Sequence, residues 1–116
     1  MTTHSPIDAA TYAELQEIMA DEFGEIVEFF ISDTESALEI LQQCVDTQDS
    51  AQVGTICHKL KSSSKILGAF TLAELTRLLE EYKDHQDQPS ASAHLIQLRE
   101  EFAQVLDWLK QQAAIA

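Results

Sequence analysis

The segment "HKLKSSSK", residues 58 to 65, sets one imidazole among three ammonium groups in a chain otherwise crowded with carboxylates. An imidazole exposed to water has a pKa of about 6.5, so near neutral pH one ring nitrogen keeps a free lone pair and the ring can serve as a nucleophile. Lys59, Lys61 and Lys65 are three of only 7 basic residues, against 20 acidic ones, and the formal net charge is −13. A positive island in such a field suits either a dianionic phosphoryl group or the docking of an acidic partner surface. Phosphoryl transfer fits these residue types, because it asks the protein for positioning and electrostatic stabilisation more than for covalent chemistry.

Whether the ring is available depends on the element that carries it. With His58 as origin and about 100° per residue, Val53, Ile56, Leu60 and Leu67 fall within about 40° of the opposite side of a helix, so His58 is expected to face away from the core. Its surface neighbours at helical spacing are Ala51, Gly54, Thr55, Lys61, Ser62 and Lys65. Every uncharged one is small. A mid-helix glycine costs about 1 kcal/mol relative to alanine, so Gly54 gains meaning if another protein must approach the ring. Ala51, Gly54, Thr55 and Ser62 are therefore expected to form a cleared docking surface, with Lys61 and Lys65 flanking the ring in solvent as electrostatic support and Lys59 pointing sideways.

The surrounding elements read as helices. The chain has 116 residues, 45% hydrophobic, with 3 Gly and 2 Pro, which predicts one domain over residues 1–116 and few tight turns. A short first helix follows Ser5 or Asp8 as cap and carries Tyr12, Leu15, Ile18 and Met19. A second spans about Asp21 to Thr47 on a stripe from Phe23 to Val45. The third bears His58 and ends near Gly68. A fourth is expected to start with Thr71 and Glu74 as a capping box and to bury Leu72, Leu75, Leu78, Leu79 and Tyr82. The stretch "DHQDQPSAS" reads as a loop in which Pro89 ends one helix and Ser90 or Ser92 starts the next, whose stripe is Leu95, Leu98, Phe102, Val105, Leu106 and Leu109. The predicted fold class is all-α, an antiparallel four-helix bundle with an additional short N-terminal helix across one end. Phe29, Ile40 and Ile31 widen the apolar surface of the second helix beyond one stripe; the N-terminal helix is the expected cover, a partner protein the alternative.

Composition also excludes. The strong negative charge disfavours nucleic acid and anionic membrane as partners. No apolar run approaches the roughly 18 residues a membrane span needs, and the first residues lack a signal pattern, so a cytoplasmic location is expected. Cys44 and Cys57 lack metal or redox spacing and are expected as packed thiols. His4, His58, His85 and His94 likewise lack the spacing of a metal site, so no intrinsic metal is expected and His4, His85 and His94 are assigned no role.

The longer run "HKLKSSSKILGAFTLAELTRLLEE", residues 58 to 81, resembles the signature of histidine-containing phosphotransfer (HPt) domains. That pattern runs His, any residue, Leu, Lys, Gly, Ser and a small residue, then Leu-Gly-Ala and a Leu-x-x-Leu helix ending in acidic residues. His58, Leu60, Lys61, Ser63, Leu67, Gly68, Ala69, Leu72, Leu75 and Glu80 match it. The resemblance implies a phosphocarrier of a multistep phosphorelay, with His58 accepting a phosphoryl group from a receiver-domain aspartate of a hybrid sensor kinase and passing it to a response regulator receiver. It implies that Lys61 helps to hold that group, and that Mg²⁺ belongs to the receiver, leaving this chain without a cofactor. A monomer that is a carrier and not an enzyme is expected. One departure stands beside the ring, where Ser62 replaces the usual glycine; docking is expected to persist with a narrower choice of receiver. A helical adaptor that binds receivers or other signalling proteins without carrying phosphate is the competing reading. The histidine-bearing region of a sensor kinase is disfavoured, because Lys59 stands where such helices have an acidic residue and the chain has no Gly-rich nucleotide segment.

Overall fold

The computed structural model of the chain describes residues 5–115, with side chains through Gln112. His4 lies outside the described residues. The first helix, α1 (Ala9–Met19), is capped by Asp8, whose carboxylate accepts from the Thr11 N–H at 3.0 Å and from its hydroxyl at 2.6 Å. A 3-10 turn over Ala20–Glu22 leads into α2 (Phe23–Asp46), which buries Phe23, Phe30, Thr34, Leu38, Leu41, Cys44 and Val45 along its inner side. Helix α3 (Ser50–Leu67) starts with Asp49 accepting from the Gln52 N–H at 3.2 Å.

At the far end of α3, Gly68 takes a left-handed φ of 94°, and the Ala69 N–H returns to the Ser64 carbonyl at 2.8 Å. Two conditions select glycine here. A side chain would be strained at that φ, and its Cβ would stand 3.1 Å from the Asp8 carbonyl oxygen, where the Asp8 N–H also meets the Gly68 carbonyl at 2.9 Å. The N-terminal helix is thereby tied to the end of α3. The chain then continues as α4 (Phe70–Glu80), a single-turn α5 (Tyr82–His85) and the long α6 (Gln88–Ile115).

Helices α2, α3, α4 and α6 close a ring of packed neighbours, the antiparallel four-helix bundle that the apolar stripes predict. Helix α1 crosses one end, its Tyr12 ring set edge-on to Phe23 at 4.9 Å and to Trp108 at 4.8 Å. Val53, Cys57, Leu60 and Leu67 of α3 all point into the core, which puts the opposite side of that helix, with His58, in water. Among the described residues no helix is long and apolar enough to cross a membrane.

Several local expectations are corrected. The N-cap of α4 is Ala69, not Thr71, and Glu74 takes the Arg77 guanidinium at 2.6 Å. The fourth predicted helix breaks after Glu80, and Tyr82 is buried from the separate α5. Pro89 lies in the first turn of α6 and does not end a helix: proline's missing N–H has no partner to lose there. Asp87 takes the preceding position, its carbonyl accepting the Ala91 N–H at 3.1 Å and its carboxylate the Ser90 hydroxyl. The N-terminal helix does not cover the second apolar side of α2, since Phe29 is 71% exposed and Ile40 44%. Phe29 shares a shallow groove with Leu15, Ile26 and Ile66.

Candidate functional site

The His58 side chain is 72% exposed on α3. The structure answers what faces it. Oε2 of Glu80, the last residue of α4, lies 3.6 Å from Nδ1, and Oε1 of the same carboxylate accepts from the Lys61 ammonium at 2.7 Å. A second ammonium, that of Lys83 on α5, stands 3.5 Å from Oε2. Glu80 is thus a buried carboxylate, its side chain 11% exposed, against one imidazole and two lysines.

Its ionisation follows. The hydrogen bond from Lys61 is the leading cause that holds Glu80 below the ordinary glutamate value, with the charges of Lys61 and Lys83 adding to it and partial burial opposing. Glu80 is therefore an anion at neutral pH. The thiol of Cys57, packed beneath on α3, is pushed up to about 12, first by burial and then by the Glu80 charge, with Lys61 opposing. Cys57 and Cys44 are both buried and free.

The predicted site residues divide. Ala51, Thr55 and Ser62 are exposed around His58. The Thr55 hydroxyl turns back to the Ala51 carbonyl at 3.2 Å and that of Ser62 to the His58 carbonyl at 3.3 Å, which keeps both side chains low on the helix. Gly54 is not open: it is buried beneath Lys83, and a Cβ there would lie 2.8 Å from that side chain's Cδ. Lys61 does not stand free in solvent either, for its side chain is 21% exposed and committed to Glu80. Lys65 is exposed one turn on, within electrostatic reach of Glu74. Lys59 is exposed on the other flank of the ring.

In the sequence Glu80 stands out only as a matching motif position, and nothing there marks Lys83 as part of the site. Lys83 does lie three residues after Glu80 at the end of an acidic helix, but the break between α4 and α5 hides which way it points. Of the other histidines, His85 accepts the Asp87 N–H on Nδ1 at 2.9 Å. Among the described residues no group of three or more His, Cys, Asp or Glu is placed to hold a metal ion.

Comparison with known proteins assigns the bundle to a family. A family model described as Hpt domain matches residues 25–108. The chain belongs to the Hpt domain family. Histidine-containing phosphotransfer protein B (HptB) from Pseudomonas aeruginosa PAO1 is similar over 98% of this chain and 99% of its own, at 29% identity and a TM-score of 0.91. The maize protein ZmHP2 has the same fold, with a TM-score of 0.80 at 20% identity over 97% of this chain and 88% of its own. MtHPt2 from Medicago truncatula shares it at a TM-score of 0.79 and 20% identity, over 96% and 82%. No curated protein matches the chain in sequence. As an Hpt domain protein, the chain is a histidine phosphotransfer carrier of multistep phosphorelays.

Proposed function

We propose that His58 is the residue that carries the phosphoryl group, and that it does so on Nε2. The observation that carries this reading is the approach of a buried, ionised carboxylate to Nδ1 of a ring otherwise in water. A carboxylate on that side favours the tautomer with its proton on Nδ1, which leaves the Nε2 lone pair directed outward. In the transfer, that lone pair attacks phosphorus of a receiver aspartyl phosphate and forms the N–P bond. The acyl P–O bond breaks, its electron pair leaving with the aspartate carboxylate. The proton on Nδ1 stays, so the ring becomes a cation, and Glu80 lies where it stabilises that charge. The reverse step, on a second receiver, returns the neutral ring.

Lys61 acts through Glu80, which it fixes and keeps ionised, and Lys65 adds to the positive field into which the dianion arrives. Ala51, Thr55 and Ser62 form the surface over which a receiver reaches the ring, and the exposed Phe29 and Ile66 extend it along α2 and α3. The partners are receiver domains of a hybrid sensor kinase and of response regulators. The Mg²⁺ of the reaction is the receiver's, and this chain needs no cofactor of its own. It works as a cytoplasmic monomer, a single phosphotransfer domain that carries the group and is not an enzyme.

Incubation with a phosphorylated receiver tests this, with the modified residue mapped by mass spectrometry. Wild type is expected to be labelled at His58, and His58→Gln to remain unlabelled while folded. Equal binding of the receiver with no transfer to wild type would instead identify an adaptor.

A further inference from the structure

The reading of His58 as phosphoryl carrier leaves open which cation meets the phosphoryl oxygens. Lys61 is the obvious choice by position, yet its ammonium holds Glu80 at 2.7 Å and its side chain is largely buried. To leave that carboxylate would strand a buried charge. Lys83 differs on both counts. Its side chain is 46% exposed and its ammonium stands 3.5 Å from Oε2, the oxygen that also lies 3.6 Å from Nδ1 of His58. The imidazole and this ammonium therefore converge on one atom, from α3 and α5.

The path of the Lys83 stem adds an independent observation. It lies directly on Gly54, one helical turn before His58 and on the same side of α3. A Cβ at residue 54 would stand 2.8 Å from Cδ and 3.1 Å from Cβ of Lys83, so any other residue would lift the stem away from the helix. A glycine that weakens α3 by helix propensity thus lets α5 lay a lysine beside the ring. The concavity above Gly54, about 680 Å³, is lined by His58, by the cations of Lys59 and Lys83 and by the carboxylates of Glu80 and Asp84.

We propose that Lys83 is the phosphoryl-binding cation of this carrier, seated by Gly54, while Lys61 serves as the fixed counter-ion of Glu80. When the dianion arrives on His58, the Lys83 ammonium turns from Oε2 to a phosphoryl oxygen, and Lys61 keeps Glu80 ionised against the cationic ring. No bond beyond hydrogen bonds changes in this step.

The test uses the full chain phosphorylated by phosphoramidate, which needs no receiver, and reads the phosphoryl proton equilibrium by ³¹P NMR titration. A nearby ammonium favours the dianion. Lys83→Gln is expected to shift that equilibrium about fivefold toward the protonated form, the size of a partly exposed charge pair. Gly54→Ala keeps every charge but displaces the stem, and is expected to shift it in the same direction. Lys59→Gln removes the same charge from the other flank and is expected to move it less than twofold. Equal shifts in Lys59→Gln and Lys83→Gln, or none in Lys83→Gln, would overturn the assignment while leaving His58 as carrier. A wild-type chain labelled at no histidine by phosphoramidate, or only away from His58, would overturn the carrier reading and this one with it.

Discussion

Nδ1 of His58 and Oε2 of Glu80 stand 3.6 Å apart, joining the exposed side of α3 to the last residue of α4. The distance is too long for a strong hydrogen bond in the resting ring. The attraction between the two groups grows once the ring is a cation. Glu80→Gln removes the anion but keeps the shape, so transfer from a phosphorylated receiver is expected to slow about two- to fivefold, the effect of a partly exposed charge pair. Initial rates of His58 labelling measure this, and an unchanged rate would remove Glu80 from the mechanism.

Lys61 contributes to the acid limb of stability through Glu80. The Glu80 carboxyl is held below the ordinary value of 4.5, chiefly by the Lys61 hydrogen bond. A depressed carboxylate contributes stability that is complete above the unfolded value and is lost as pH falls through the folded one. Lys61→Met is expected to cost about 1–2 kcal/mol near neutral pH and to flatten the loss of stability below pH 4.5. Urea unfolding at a series of pH values checks both. A variant as stable as wild type would mean that Lys61 is free in solvent after all.

The bundle was legible in the sequence because its apolar stripes are long: Val53, Leu60 and Leu67 keep helical phase through α3, and phase alone places His58 in water. The details that failed are those set by neighbours distant in sequence. Gly54 reads as clearance for a partner until Lys83, 29 positions later, is seen lying on it. Lys61 reads as solvent-exposed until Glu80 is brought beside it by the turn at Gly68. The start of α6 failed for a local reason, since Pro89 can open a helix as readily as it follows one, and only the Asp87 contacts decide.

Burial and the Glu80 charge push the Cys57 thiol up to about 12. It is therefore almost wholly protonated at pH 8, and the thiolate is the reactive form. Burial raises the Cys44 thiol as well. Iodoacetamide at pH 8 is expected to leave both cysteines unmodified in the folded chain and to alkylate both in denaturant. Mass spectrometry reads the outcome, and rapid native labelling of Cys57 would contradict its packing.

Gly68 is expected to matter for the fold without touching the chemistry. Alanine at its left-handed φ costs about 1–2 kcal/mol, and the Cβ would also press on the Asp8 carbonyl. Gly68→Ala should lower the unfolding free energy measured in urea by that amount, while the fraction of folded molecules labelled on His58 stays the same.

Ser62 stands one turn beyond the imidazole, where the family pattern has glycine. Its hydroxyl is bonded back to the His58 carbonyl at 3.3 Å, so the side chain adds little height but still places a Cβ and an oxygen beside the ring. If Ser62 acts as a steric filter, a receiver loop that packs flat on glycine would have to lift there, and receivers with smaller loop residues would lose least. Ser62→Gly is expected to cost about 0.5 kcal/mol in helix stability and to raise transfer rates most for the receivers that react slowly with wild type. Rates measured against several purified receivers decide: a narrowed spread supports a steric filter, and unchanged rates for every receiver would mean that serine at this position discriminates nothing.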